Sequence, residues 1–158
     1  YLDQHKQATT YIPNGIVPPV YRDPDLIRQA GIKGKYALFV GRLVPEKGCH
    51  LLLEAWRRLP AALRQDYELV IAGDAGFTPG YVEKLKNSAP AGVHFLGYVH
   101  GPVLDELFTN AELMVLPSAI APHSSIDKST RTTLRPLGGE VARLARMPNM
   151  VILVNNLP

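Results

Sequence analysis

The sequence holds 158 residues, with 17 Lys and Arg against 14 Asp and Glu, five His, one Cys and a net charge of +3. That length suits one domain able to bury about 70% of its unfolded surface without staples. The lone Cys49 excludes an internal disulfide framework and fits a reducing compartment, with Cys49 itself read as core. The basic residues are scattered, which argues against a nucleic-acid stripe; no apolar run approaches the roughly 20 residues of a membrane span, and the first ten residues are too polar for a signal peptide. The expectation is a soluble, cytoplasmic chain and, since it lacks an initiating Met, a processed or excised piece.

In chain order, 8–12 is a short strand candidate closed by Pro13-Asn14-Gly15, a turn signal because Asn and Gly accept positive φ. After Pro18-Pro19 comes a weak helix, with Asp23 expected as N-cap, Pro24 at the first helical position and Gly31 past its end. Residues 36–40, YALFV, form a buried strand stopped by Gly41. A basic loop then leads into a helix on which Leu52, Ala55, Trp56 and Leu59 fall at i, i+3, i+4 and i+7. One apolar face therefore packs on a sheet, and Trp56 is expected to be buried.

The strand-loop-helix rhythm repeats. Residues 67–72 form a second buried strand closed by Gly73-Asp74-Ala75-Gly76, and Thr78-Pro79 starts a helix with Val82, Leu85 and Ala89 on one face. Residues 93–97 form a third strand. The turn 98–101 precedes Pro102 and a helix with Leu104, Leu107, Phe108 and Ala111 on one side, and 113–116 is a fourth strand. Right-handed strand-helix crossovers at this spacing imply a Rossmann-like parallel α/β sheet with flanking helices. Residues 119–136 lack apolar periodicity and read as an exposed, flexible, divergent loop within a single domain over 1–158. Val141, Leu144 and Ala145 suggest a short helix, and 150–154 a fifth strand.

In such a sheet, ligands lie beyond the carboxyl ends of the strands, which places Arg42, Glu46, Lys47 and Gly48 at a crevice beside a helix N-terminus. The ligand expected there is an anion. The histidines share no metal spacing such as His-x-x-x-His, so no metal site is expected. His50 and His94 read as packing or snorkelling side chains, His100 as a loop residue near the ligand edge, and Asp74 as a turn residue. The cluster His123, Ser124, Ser125 and Asp127 is adjacent in one loop and does not make a nucleophilic triad.

Four stretches in this order, IPNGI at 12–16, FVGRLVPEKG at 39–48, ELVIAGDA at 68–75 and VHFLGYV through NAELMVLPS at 93–118, resemble the retaining glycosyltransferases of family 4 (glycosyl transferases group 1). The similarity is to their C-terminal, nucleotide-sugar-binding domain, one of the two facing Rossmann-like halves of a GT-B fold. The resemblance implies that Arg42 and Lys47, on the loop opened by Gly41, hold the donor diphosphate and stabilise it as it leaves. It also implies that Gly97, Tyr98 and Val99 border the nucleobase. A UDP-, GDP- or ADP-sugar donor is implied with no metal required, along with an acceptor sugar, lipid or other glycan. The partner half is an N-terminal Rossmann-like domain through which the enzyme could be peripheral to the membrane; no nucleic acid is implied.

The family continues after the LPS stretch into an EGFG-like turn and a helix carrying a second Glu, the pair that holds the donor's ribose and sugar. Here 119–146 has no EGFG, and its acids are Asp127 and Glu140. The alternative reading is thus a catalytically incomplete nucleotide-binding or interaction module that has lost this acidic motif.

Overall fold

A computed structural model describes residues 20–74, 79–117 and 150–154. The strand expected at 8–12, the Pro13-Asn14-Gly15 turn, the 119–136 loop and the helix around Val141 lie outside these residues.

The described chain runs α1 (Asp25–Gln29), β1 (Lys35–Val40), α2 (Cys49–Arg57), α3 (Ala61–Asp66), β2 (Tyr67–Ala72), α4 (Pro79–Asn87), β3 (Val93–Gly97), α5 (Pro102–Asn110), β4 (Leu113–Pro117) and β5 (Met150–Val154). The sheet order is β3-β2-β1-β4-β5. Strands β1 to β4 are mutually parallel, with Lys35 opposite Tyr67, Leu69 opposite Val93 and Ala37 opposite Leu113. The expected Rossmann-like sheet is therefore present. The fifth strand departs from that pattern, because β5 pairs antiparallel to β4, Leu113 facing Val154. A short apolar run identifies a strand but carries no direction, which is set by the connection that returns the chain to the sheet.

Strand β1 shows why YALFV has no polar positions. Side chains alternate across a strand, and both faces of this one are covered. Ala37 and Phe39 enter a cluster with Leu52, Leu53 and Trp56 of α2, Leu69 and Ile71 of β2 and Leu85 of α4. Tyr36 and Leu38 enter a second cluster with Ile27, Ile32, Val70, Leu107 and Ala111. Each of the Leu, Ile, Val and Phe side chains among them, fully buried, contributes on the order of 1.5–3 kcal/mol. Trp56 is buried as its helical spacing requires, and Leu59 packs on the same cluster from just beyond the helix.

The start of α1 is a correction. Asp23 is not its N-cap; Pro24 takes that position and offers no side-chain cap. The Asp23 carbonyl instead accepts the Asp25 N–H at 2.8 Å, closing a turn before the helix begins. The open N–H groups are met from α5, where the Glu106 carboxylate accepts Leu26 N–H at 2.8 Å and Ile27 N–H at 3.0 Å. Glu106 is buried, so these bonds both cap α1 and dock it on α5. Beside them the Tyr36 hydroxyl donates to the Leu107 carbonyl at 2.9 Å. Burial, with the nearby Glu106 charge adding to it, raises the Tyr36 hydroxyl well above the usual phenol range.

Candidate functional site

The strand order puts β1 at the reversal point: the chain winds from β1 to β2 to β3 on one side, then returns to β4 on the other. In a sheet of this kind the loops leaving the strands beside the reversal diverge and leave a crevice at their carboxyl ends. Here the β1 loop begins at Gly41 and ends at Gly48, the first residue before α2.

Three glycines line the edge beyond β1, β2 and β3. Gly41 N–H donates to the Ala72 carbonyl at 3.0 Å, and Gly73 N–H to the Gly97 carbonyl at 2.7 Å. Gly73 has φ +146°, and a Cβ on it would stand 1.8 Å from the Gly41 carbonyl oxygen. No side chain fits between those backbones, so Gly73 fixes how closely the two loops approach. Leu43 N–H donates to the Asp74 carbonyl at 3.2 Å, tying the β1 loop to the β2 loop.

The same anchoring sets Arg42. Leu43 is buried in the α2 side of the core, and a residue between Gly41 and a buried Leu43 points outward; Arg42 is exposed. A 3-10 turn, Pro45–Lys47, follows, and Gly48 at φ 68° and ψ 21° bends the chain from that turn into α2. A left-handed residue at this corner favours glycine. Lys47 is exposed on the turn, directly before the first turn of α2. Arg42 and Lys47 thus stand on one short loop, beside a helix start with no side-chain cap on its first residue. A loop of this kind suits a multivalent anion, with a planar fork on Arg42 and a compact charge on Lys47.

On β3 the expected residues follow one another past the strand end. Val99 is half-buried against the α1 side of the core, while Tyr98 is 76% exposed. The Tyr98 and His100 rings lie 5.8 Å apart between centroids, tilted by 30°. Gly97 is joined to Gly73 and so to Gly41, which places Gly41, Arg42, Lys47, Gly97, Tyr98 and Val99 at one edge of the sheet. Cys49, one residue past Gly48, is fully buried, and burial pushes its thiol up to about 12. It is a core residue and not a nucleophile at neutral pH.

Two features escaped the sequence reading. The close approach at Gly73 depends on strand pairing. The second is a side-chain pair: His50, expected to pack or snorkel, is exposed yet packs edge to face on Tyr81 of α4, its Nδ1 2.9 Å from the Tyr81 hydroxyl. His94 is closer to expectation, half-buried with Nε2 3.7 Å from Glu68 Oε1. A cavity of about 330 Å³ lies at the opposite end of the sheet, lined by Ile27, Ile32, Lys33, Tyr36, Asn110 and Glu112 among others. It is open to solvent beside the amino end of β1 and contains none of the loop residues above. Among the described residues, no helix is long and apolar enough to cross a membrane, and no three His, Cys, Asp or Glu side chains gather as metal ligands.

Fold and loop together define a Rossmann-like α/β domain with two exposed cations on the loop at its strand reversal. The sequence profile described as Glycosyl transferases group 1 matches residues 24–123. The chain belongs to this family. It is 40% identical over 91 residues to an uncharacterized glycosyltransferase of Methanocaldococcus jannaschii, covering 56% of this chain and 22% of the relative. It is 32% identical over 85 residues to the O-antigen chain mannosyltransferase B of Escherichia coli, covering 52% of this chain and 22% of that protein. Among solved structures it is similar to HepE of Anabaena in complex with UDP and glucose, at TM-score 0.51 and 25% identity over 60% of this chain and 26% of that one. The chain thus spans about a quarter of the length of each of these three proteins.

Proposed function

We propose that this chain is the donor-binding half of a retaining glycosyltransferase that uses a nucleotide-diphospho-sugar. The observation that carries the proposal is the pair of exposed cations, Arg42 and Lys47, on the loop between the carboxyl end of β1 and the start of α2. Family membership and the similarity to a structure holding UDP and glucose support it.

In glycosyl transfer the bond between the anomeric carbon and the diphosphate breaks, and negative charge builds on the departing phosphate oxygen. Donors already aimed at that oxygen lower the barrier, since they need no reorganisation as the charge develops. Arg42 holds two phosphate oxygens with its fork and Lys47 adds a point charge. These two residues do the work that a divalent metal does in other transferases, so the donor binds without metal. Gly41 keeps the loop close to the sheet, and Gly97, Tyr98 and Val99 border the nucleobase. Residues 1–158 act as one domain. The acceptor, a sugar, lipid or other glycan, is met by a second Rossmann-like domain preceding this one. The enzyme works in the cytoplasm and reaches the membrane surface through that second domain.

A second reading is a nucleotide-binding module without transfer activity. It is favoured by the lack of an EGFG-like turn and its acidic pair after Pro117. Both readings require nucleotide binding, which a thermal-shift screen against UDP, GDP and ADP and their sugars tests. One nucleotide series should raise the unfolding midpoint, because a ligand at 100 times its Kd adds about 2.7 kcal/mol. The rise should be the same with EDTA. No shift with any nucleotide contradicts the proposal, and a shift abolished by EDTA contradicts the metal-free clamp. Transfer from the stabilising donor by the full-length protein separates the enzyme from the module.

A further inference from the structure

We propose that Gly73 is a positioning residue for the donor: it sets the spacing between the loop that holds the diphosphate and the loop that borders the nucleobase, so that one nucleotide engages both. The proposal rests on the donor-binding reading above and adds to it a residue from the third loop, the one leaving β2.

The two loops are rooted in different parts of the core. Leu43, next to Arg42, is buried in the cluster that α2 and α4 cover, whereas Val99 packs on the cluster that α1 and α5 cover. Strand β2 runs between β1 and β3, and both loops are tied to its exit. On the β3 side, Gly73 N–H donates to the Gly97 carbonyl at 2.7 Å. On the β1 side, Gly41 N–H donates to the Ala72 carbonyl at 3.0 Å and Leu43 N–H to the Asp74 carbonyl at 3.2 Å. Gly73 sits between these ties, and Arg42 is the residue between Gly41 and Leu43.

The lack of a side chain on Gly73 decides how near the β1 loop comes. A Cβ there would stand 1.8 Å from the Gly41 carbonyl oxygen, 2.9 Å from its carbon and 3.5 Å from its nitrogen. The first distance is more than 1 Å inside the 3.0 Å that real Cβ atoms keep, and the obstacle is backbone. A methyl therefore pushes the β1 loop away from the β2 exit and from the β3 loop tied to it. The β1 loop keeps its own form from the other side, through the buried Leu43 and through Gly48, whose N–H donates to the Pro45 carbonyl at 3.0 Å. Arg42 and Lys47 then stay together on their loop while their distance from Gly97 and Val99 changes.

Spacing matters because a nucleoside diphosphate has two parts on one short connection. A ligand of that kind gains affinity by engaging both parts at once, and the gain is set by the effective concentration of the second part once the first is bound. That concentration collapses when the connection no longer matches the span. A fragment that uses one loop alone has no such gain to lose.

The test is calorimetric titration of UDP, GDP, ADP and pyrophosphate into the full-length wild type, Gly73→Ala and Arg42→Ala. Trimethylamine N-oxide, which favours the folded state, is present throughout to keep Gly73→Ala folded, and circular dichroism checks that it is. A misplacement of about 1 Å can cost up to about 100-fold, so Gly73→Ala should weaken the nucleotide that binds by roughly 10- to 100-fold. Pyrophosphate, which needs the β1 loop alone, should bind Gly73→Ala as it binds the wild type, and Arg42→Ala should weaken both ligands. Wild-type nucleotide affinity in folded Gly73→Ala, with Arg42→Ala weakened, overturns this proposal and leaves the donor reading standing. Equal loss of nucleotide and pyrophosphate in Gly73→Ala, or no pyrophosphate binding by the wild type, overturns it too. Hydrogen exchange on the wild type is a check that needs no variant to fold: the Gly41, Leu43 and Gly73 amides should be protected as those within β2 are, and free exchange at all three overturns the proposal. Nucleotide binding absent from the wild type, or indifferent to Arg42→Ala, removes the donor reading and this proposal with it.

Discussion

The two ends of β1 treat charge in opposite ways. At the amino end, several charged groups are answered from within the fold. The Glu68 carboxylate accepts Lys33 and Gly34 N–H at 3.2 and 3.4 Å and faces His94, Lys35 lies over the Tyr67 ring at 6.0 Å, and nearby Glu106 caps α1. At the carboxyl end the backbones are packed as closely as glycine allows, while Arg42 and Lys47 are turned out to solvent. Charge that the fold satisfies itself is structural, and charge that it positions and leaves exposed is available to a ligand. Substitutions at the two ends should therefore separate stability from binding.

The largest stability effect is expected at Gly73. Gly73→Ala forces a methyl into the Gly41 carbonyl, which is backbone and cannot swing away, so a loss of about 4 kcal/mol or more is expected. Chemical denaturation measures it, and an unchanged midpoint would mean that the β1 and β2 loops do not meet. Glu106→Ala comes next, at about 3 kcal/mol, because two N–H groups at the start of α1 lose a buried charged acceptor. Hydrogen exchange should then rise at Leu26 and Ile27 ahead of β1; equal protection in the variant would remove the capping role.

Tyr36→Phe is smaller, about 1 kcal/mol for one neutral hydrogen bond, and carries a pH signature. The Tyr36 hydroxyl ionises at higher pH in the folded chain than in the unfolded one. Its contribution is therefore full below about pH 10, the ordinary phenol value, and is lost as pH rises beyond it, since only the unfolded chain then releases the proton. Stability of the wild type should fall above pH 10 more steeply than that of Tyr36→Phe, and Cys49, also raised by burial, adds a parallel fall in both. Identical alkaline slopes would show that the Tyr36 hydroxyl is not buried against Leu107.

Much of this was legible in the sequence, for reasons that differ by element. Strands β1 to β4 and helices α2, α4 and α5 announce themselves because both faces of the sheet are covered, giving unbroken apolar runs and helices with one apolar face. Arg42 and Lys47 were legible because a strand-loop-helix order already fixes which end of the strand a loop occupies. Helix α3, Ala61–Asp66, was not foreseen: six residues are too few to display a period. Glu106 was overlooked because periodicity treats a carboxylate as outward, yet Val103, Glu106, Leu107 and Asn110 share i, i+3, i+4, i+7 spacing, which was the available signal. The direction of β5, the contact of Gly73 with Gly41 and the meeting of His50 with Tyr81 all depend on pairings between distant segments. No local pattern encodes them.

The measurement that bears most directly on the central claim is a calorimetric titration of the stabilising nucleoside diphosphate into wild type, Arg42→Ala, Lys47→Ala and the double variant, paired with denaturation of each. Both side chains are exposed, so stability should stay within about 0.5 kcal/mol of wild type. Each charge-assisted contact is worth on the order of 1.5–3 kcal/mol, so each single substitution should weaken binding by roughly 10- to 100-fold. Unchanged stability with weakened binding is the predicted result; nucleotide affinity untouched by the double substitution would contradict it.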